Sequence, residues 1–201
     1  MIKIKAGLAT DGHDRRTFRV HEDYIQFYSS FEWEWTQEDG ISVLTLEEDA
    51  DTVHEFVTWL YTQTVSKLSA DTAIDLWIFA DHYKTPLLKN DSIDALNLFI
   101  VNNASLPLHR LHDIYADGIE DSARRDMITN AMSFYLDVKS VCEVEQWPKE
   151  AISDTLKSMV AARSDNAFPG PDYKSQDMCP HFHDHDDELM CSEDEDEDSE
   201  R

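Results

Sequence analysis

Residues 41–62 read ISVLTLEEDADTVHEFVTWLYT and change, within one stretch, from the pattern of a strand to that of a helix. Ile41 to Leu46 are rich in β-branched and apolar residues and are bounded by turn residues, which predicts a strand. The acidic run that follows offers Asp51 as a helix N-cap. Apolar residues then recur at the spacing of one helix face, and they are Val53, Phe56, Val57 and Leu60. The stretch therefore predicts a strand followed directly by an amphipathic helix.

The N-terminus predicts two further strands and a helix. Residues 2–6 alternate apolar side chains with lysines, which is the period of a half-buried strand. Asp11-Gly12 is a strong turn signal, and residues 17–20 alternate again, so the two segments predict a β-hairpin. From Tyr24 to Tyr28 the apolar spacing becomes helical.

Downstream of residue 62 the apolar periodicity is helical. Helices are expected from Ser69 or Asp71 to Tyr83, and over 87–101, 108–116, 121–139 and 149–163. The order of elements is typical of an α+β fold, in which a small sheet, made of the N-terminal hairpin plus a third strand, is covered by a helical layer. Additional C-terminal helices extend that layer.

The end of the chain has a different composition. Pro169-Gly170-Pro171 predicts the end of ordered structure, and residues 193–200 are a low-complexity acidic run. The expected organisation is a first domain over 1–103, a C-terminal helical extension over 104–166, and a disordered acidic tail over 167–201.

Charge and cysteine content narrow the class of function. The 201 residues carry 17 basic and 42 acidic side chains, a formal net charge of -25, which repels phosphate backbones and argues against nucleic-acid partners. Three cysteines favour a reducing compartment. No apolar run resembles a signal peptide or a membrane span, so we expect a cytoplasmic or nuclear protein without a membrane partner.

Five strings, taken in order, resemble the elements of one known family. They are Phe18-Arg19-Val20-His21, Ser29-Ser30-Phe31, the strand end 44–49, the helix 56–62, and the segment 76–90 with its Ala80-Asp81 and Pro86-Leu87. Together they resemble a BTB/POZ domain, and their wording is most similar to the large fungal group of short BTB proteins. The resemblance implies the BTB fold and a non-catalytic protein–protein interaction module. It also implies dimerisation, and for some members a role as a substrate adaptor of cullin-type ubiquitin ligases.

The sequence departs from that family after Phe31. Members usually carry a full helix there, near the surface that faces cullin, whereas Phe31 is followed at once by Glu32-Trp33-Glu34-Trp35 and about half a dozen residues are missing. The departure weakens the cullin expectation. Trp33 and Trp35 have two readings: an exposed binding patch, because Trp is enriched at interaction hot spots, or alternate residues of an extended stretch that pack on the core.

The dimer interface is expected at the N-terminus. The resemblance implies exchange of the first strand and docking of the first helix, which places Ile2, Ile4, Tyr24 and Phe27 in the interface. An apolar strand edge at a chain terminus is a liability unless it is paired, and this gives a physical reason for self-association. His21 is expected to pack and hydrogen-bond at the strand-to-helix junction.

The tail contains the one candidate metal cluster. Cys179, His181, His183, His185 and Cys191 offer thiolate and imidazole ligands of the kind that tetrahedral zinc requires. Their spacing is not that of a zinc finger, and a disordered His-rich tail is the alternative reading. Zinc binding is therefore the alternative to the interaction module. Catalysis is not expected, since no phosphate-binding glycine loop, nucleophile elbow or zinc-protease motif occurs.

Overall fold

The structure is a computed structural model that describes residues 1–7, 15–65, 69–116, 122–136, 141, 144–165, 178, 182 and 183. Its strands are β1 Ile2–Ala6, β2 Arg16–Val20, β3 Thr36–Glu38 and β4 Ile41–Leu46. Its α-helices are α1 Glu22–Tyr28, α2 Ala50–Thr62, α3 Ala70–His82, α4 Pro86–Asn103, α5 Leu111–Ile114, α6 Ala123–Tyr135 and α7 Lys149–Asp165. Short 3-10 turns lie at Leu108–Arg110 and Val144–Gln146. The predicted α+β class is confirmed.

The strands form one mixed sheet in the order β2-β1-β4-β3. The predicted hairpin is confirmed, because β1 pairs antiparallel with β2 from Ile2↔Val20 to Ala6↔Arg16. The predicted strand β4 is confirmed as well and pairs in parallel with β1. A parallel pair requires a crossover connection, and here the chain between β2 and β4 supplies it through α1.

Strand β3 was not predicted from the sequence. Its three residues are polar and all exposed, so they carry no alternation of buried and exposed side chains. The strand forms because Asp39 and Gly40 both adopt positive φ, 51° and 76°, which is the geometry of a tight hairpin turn leading into β4. The Asp-Gly signal was visible in the sequence, but the strand on its N-terminal side was not.

The helical layer begins with well-defined caps. The N-cap of α2 is Asp49, whose carboxylate accepts hydrogen bonds from the backbone N–H groups of Asp51 and Thr52, so the expected cap at Asp51 is two residues too late. Ser69 caps α3 as one of the two predicted candidates. Pro86 stands at the start of α4, where its fixed φ suits a first turn and its missing N–H costs nothing.

Two apolar clusters form the interior. One lies between the sheet and helices α2 and α3, and the other lies among α3, α4 and the C-terminal helices. Helix α3 belongs to both, since Leu76 and Phe79 face the first cluster while Ile74 and Trp77 face the second. The second cluster takes residues from both sides of position 103, so the core is continuous across the boundary expected there.

The region expected to be a disordered tail contributes to that second cluster. Met178 and Phe182 are buried in it, and His183 accompanies them. Burial of these two apolar side chains, in an otherwise acidic segment, stabilises the folded chain. The other residues of 167–201 lie outside the described part of the chain, and the expected disorder of the tail stays a prediction.

Candidate functional site

Helix α1 is held to the domain by few contacts. It follows β2 directly, and its first turn carries Glu22 and Asp23, whose charges suit a helix N-terminus. Its end is marked by the N–H of Ser29, which donates to the carbonyl of Ile25 over 3.0 Å. Ile25 is the buried residue of the helix, and Tyr28 packs edge-on against the ring of Trp59 at 5.2 Å. The remaining side chains of α1 are left for solvent or for a partner.

The exposed side of α1 is aromatic. Phe27 is 72% exposed and Tyr24 is 40% exposed, and both stand one helical turn apart. Tyr61 at the end of α2, 46% exposed, joins them through its ring, whose centroid lies 5.1 Å from that of Tyr24. We call Tyr24, Phe27 and Tyr61 the aromatic surface. Large exposed aromatic side chains that lie side by side are the kind of group that becomes buried at protein interfaces.

His21 sets the position of Tyr61 in this surface. The backbone N–H of His21 donates to the Tyr61 hydroxyl over 3.1 Å, and the His21 Nδ1 lies 3.0 Å from the same oxygen. The two contacts tie the start of α1 to the end of α2. His21 therefore packs and hydrogen-bonds at the strand-to-helix junction, as its position in the sequence predicted.

The predicted interface residues divide into two groups. Tyr24 and Phe27 are at the surface, but Ile2 and Ile4 are buried in the sheet-side cluster. Strand β1 is also paired on both sides, with β2 and with β4, so it has no free edge in the single chain. In the single chain Ile2 and Ile4 are therefore not presented to a partner, and their contribution through exchange of β1 between two copies stays a prediction.

Trp33 and Trp35 follow the packing alternative. Both are half-buried against the sheet-side cluster, while the alternating Glu32 and Glu34 are exposed. Trp33 stacks on Tyr83 with centroids 4.8 Å apart and ring planes at 12°. This extended segment therefore covers the sheet-side cluster and packs on it through its tryptophans.

The hydroxyl of Tyr83 is held in place below that segment. It donates a hydrogen bond to Glu48, and the pKa of Tyr83 is raised above its usual range, first by burial and then by this carboxylate. A neutral phenol in a buried aromatic cluster is a packing group, and its hydroxyl donates to Glu48.

Of the candidate zinc ligands, His183 lies within the described residues. Its Nε2 is 2.9 Å from Asp94 Oδ1 on α4, and its side chain is 5% exposed. Cys179, His181, His185 and Cys191 lie outside the described part of the chain. Within that part no group of three His, Cys, Asp or Glu side chains is arranged to hold a metal ion. His183 acts in the structure as an anchor of the C-terminal segment on α4.

The same stretch of α4 carries a second carboxylate. Asp91 Oδ2 accepts a hydrogen bond from the Trp59 indole over 2.6 Å. Burial raises the pKa of Asp91 and the charge of Asp94 adds to the rise, whereas the Trp59 hydrogen bond and His183 oppose it. Asp91, Asp94 and His183 thus connect α2, α4 and the C-terminal segment by polar contacts.

Sequence reasoning missed Tyr61 and the anchor at His183. Tyr61 follows directly after Leu60 of the apolar face of α2, and consecutive residues on a helix point in different directions, so the helical spacing did not single it out. The contact of His183 with Asp94 joins residues 89 positions apart, and no local pattern signals such a pair.

Neither a protein-family model, nor a curated protein, nor a solved structure matches this chain. None of the helices in the described ranges is both long and apolar enough to cross a membrane. The fold and the site define an α+β domain with a four-stranded mixed sheet. Its aromatic surface is formed by the first helix and the end of the second.

Proposed function

We propose that this protein is a non-catalytic interaction module of BTB type that associates with a second copy of itself through the aromatic surface. The observation that carries the proposal is the exposure of Phe27 and Tyr24 on a helix that is anchored by a single buried residue. Aromatic side chains in water lose apolar hydration when they are buried, and they dominate interface energetics for that reason.

A two-fold arrangement keeps the unfavourable charges of α1 away from the centre of the contact. If α1 of one protomer packs antiparallel on α1 of its partner, the acidic first turn with Glu22 and Asp23 lies beside the C-terminal turn of the other helix. The carboxylates then face the negative half of the partner's helix dipole only at the rim, where water screens them. Phe27 and Tyr24 occupy the middle of the contact.

The size of the surface predicts a weak dimer. A seven-residue helix is about 10 Å long, so even with Tyr61 the contact falls below the roughly 800 Å² per partner of a stable interface. We therefore expect a dissociation constant on the order of 10–100 µM.

The cullin-adaptor role is a narrower form of the proposal and has less support. Residues 29–35 form no helix, and their indoles Trp33 and Trp35 pack inward. The BTB resemblance assigns this segment to the cullin-facing surface. Here the segment is short, and its indole side chains pack on the core. Self-association requires nothing from this segment.

The first test replaces Phe27 by glutamate in the full chain. The unchanged protein is expected to gain mass with concentration in sedimentation equilibrium, and Phe27→Glu is expected to stay monomeric because a carboxylate cannot be buried at the contact. The matched control is Leu98→Glu on α4, which changes a side chain of 59% exposure elsewhere on the surface and should dimerise like the unchanged chain. Circular dichroism confirms that both variants fold. A folded Phe27→Glu variant that still dimerises contradicts the proposed interface.

A further inference from the structure

One face of the sheet packs on the core, and the opposite face carries four basic residues. Ile2, Ile4 and Ala6 of β1 point into the sheet-side cluster, so Lys3 and Lys5 point the other way and are half-buried beside the buried Val43. On β2 the same alternation places the exposed Arg19, and Arg15 just before the strand, on this opposite face. We call Lys3, Lys5, Arg15 and Arg19 the basic sheet face.

Two of these cations stand directly opposite each other. Lys3 pairs with Arg19 in the register of β1 and β2. Lys5 is neutralised by Glu38, whose carboxylate oxygens are 2.6 Å and 2.7 Å from Nζ. Among the described residues no carboxylate pairs with Lys3 or Arg19. Like charges directly across an antiparallel pair repel each other and destabilise the sheet. An anionic group between them replaces this repulsion with attraction.

The chain has 42 acidic and 17 basic residues. In such a chain an unpaired cation has many carboxylates to choose from. Arg110 illustrates the common outcome: its guanidinium lies 2.5 Å from Asp75 and 2.6 Å from Asp113. Lys3 and Arg19, which have no carboxylate partner among the described residues, therefore form a surface that attracts an acidic segment.

The C-terminal residues of the chain supply such a segment. Residues 193–200 contain seven Asp or Glu and one Ser. The chain is fixed to the helical layer at Phe182 and His183, and nine residues separate this anchor from residue 193. Nine extended residues span about 30 Å, so residue 193 can reach a surface within that distance of the anchor.

We propose that residues 193–200 dock on the basic sheet face of the same chain. Docking places carboxylates between Lys3 and Arg19 and removes their mutual repulsion. The contact consists of exposed charge pairs, so it is reversible and weakens as salt shortens the Debye length. Because the tail is tethered, its local concentration at the face does not depend on protein concentration. The proposal is independent of self-association through α1.

The test compares backbone amide NMR spectra of two full-length chains. In the second chain every Asp and Glu of 193–200 is replaced by Asn or Gln, so length is preserved and charge is lost. We expect the shift differences to concentrate at the basic sheet face and its neighbours, on Lys3, Thr17, Arg19 and Thr45. They are expected to vanish in about 0.5 M NaCl, where the Debye length is about 4 Å, and to persist on tenfold dilution.

Substitution of the face supplies the matched control. Lys3→Gln in the chain with the native tail is expected to move the remaining face signals most of the way to those of the neutralised chain. Lys149→Gln, an exposed cation at the start of α7, removes the same charge elsewhere and should leave them unchanged. Equal spectra for the two tails at the sheet face overturn the proposal. Shift differences confined to the helical layer overturn it as well, and differences that disappear on dilution assign the contact to another copy of the chain.

Discussion

Asp91 is a largely buried carboxylate whose loss of hydration destabilises its charged form. It accepts the hydrogen bond of the buried Trp59 indole, yet burial and the neighbouring Asp94 raise its pKa above the ordinary value of 3.8. A carboxyl group whose pKa is higher in the folded state favours folding when it is protonated. The stability that it contributes is present below pH 3.8 and is lost as pH rises through the folded-state value.

Asp91→Asn tests this linkage. The amide oxygen of asparagine still accepts the Trp59 N–H, but it carries no charge to desolvate. We expect the free energy of unfolding of the variant, relative to the unchanged chain, to increase between about pH 4 and about pH 7 in urea titrations. Asp39→Asn in the exposed hairpin turn is the control for loss of one carboxylate, and asparagine tolerates the positive φ there. A difference that stays flat with pH for Asp91→Asn contradicts the assignment.

Residues of the sheet and of the amphipathic helices were predictable because their burial follows a local period. Ile2, Ile4, Phe56 and Leu60 occupy the interior as the alternation and the helical spacing indicate. The pairs that organise α4 were not predictable. Trp59 and Asp91 are 32 positions apart, and their meeting depends on how α2 and α4 pack, which no single residue pattern encodes.

At the scale of elements, the sheet differs from expectation by one strand and by the position of β1. The two differences have different causes. Strand β3 pairs with β4 through a local hairpin, from Thr36↔Val43 to Glu38↔Ile41, and it was missed because its three exposed residues carry no alternation. Strand β1 is internal because it pairs with β4, which is distant in the sequence, so β2 and β3 form the edges of the sheet.

The C-terminal anchor makes its own prediction about stability. Met178 and Phe182 are buried among the C-terminal helices, so a chain that ends at residue 171 loses their apolar contacts and leaves a hollow. We expect it to be less stable than the full chain by roughly 2 kcal/mol, after the entropy of ordering the segment is offset. Urea unfolding in about 0.5 M NaCl with a chelator removes contributions from the acidic run and from bound metal.

A chain that ends at residue 186 is the matched control for that truncation. It keeps the anchor and lacks the acidic run and Cys191, so it should unfold at the same urea concentration as the full chain under these conditions. Equal stability of the chains ending at 171 and at 186 would mean that the packing of Met178 and Phe182 contributes nothing to folding.

For the whole molecule, charge and apolar surface act in opposite directions. The net charge of -25 makes two copies repel each other over distances up to the Debye length, about 8 Å at physiological ionic strength. The aromatic surface attracts over contact distance, through loss of apolar hydration, and this term is not screened by salt. The balance between them sets how much dimer exists at a given ionic strength.

Dimerisation is therefore expected to strengthen with salt. Light scattering of the full chain across concentration should give a dissociation constant that falls when NaCl is raised from about 0.05 M to about 0.5 M, because repulsion is screened while burial of Tyr24 and Phe27 persists. A chain ending at residue 191 lacks seven acidic residues and one arginine, so its repulsion is smaller and its dissociation constant should change less over the same range. Weakening by salt in the full chain would indicate an interface held by ion pairs and would move it from α1 to a charged surface. A monomer at high salt and high concentration removes the homodimer altogether, since under those conditions nothing remains to oppose contact between two aromatic surfaces.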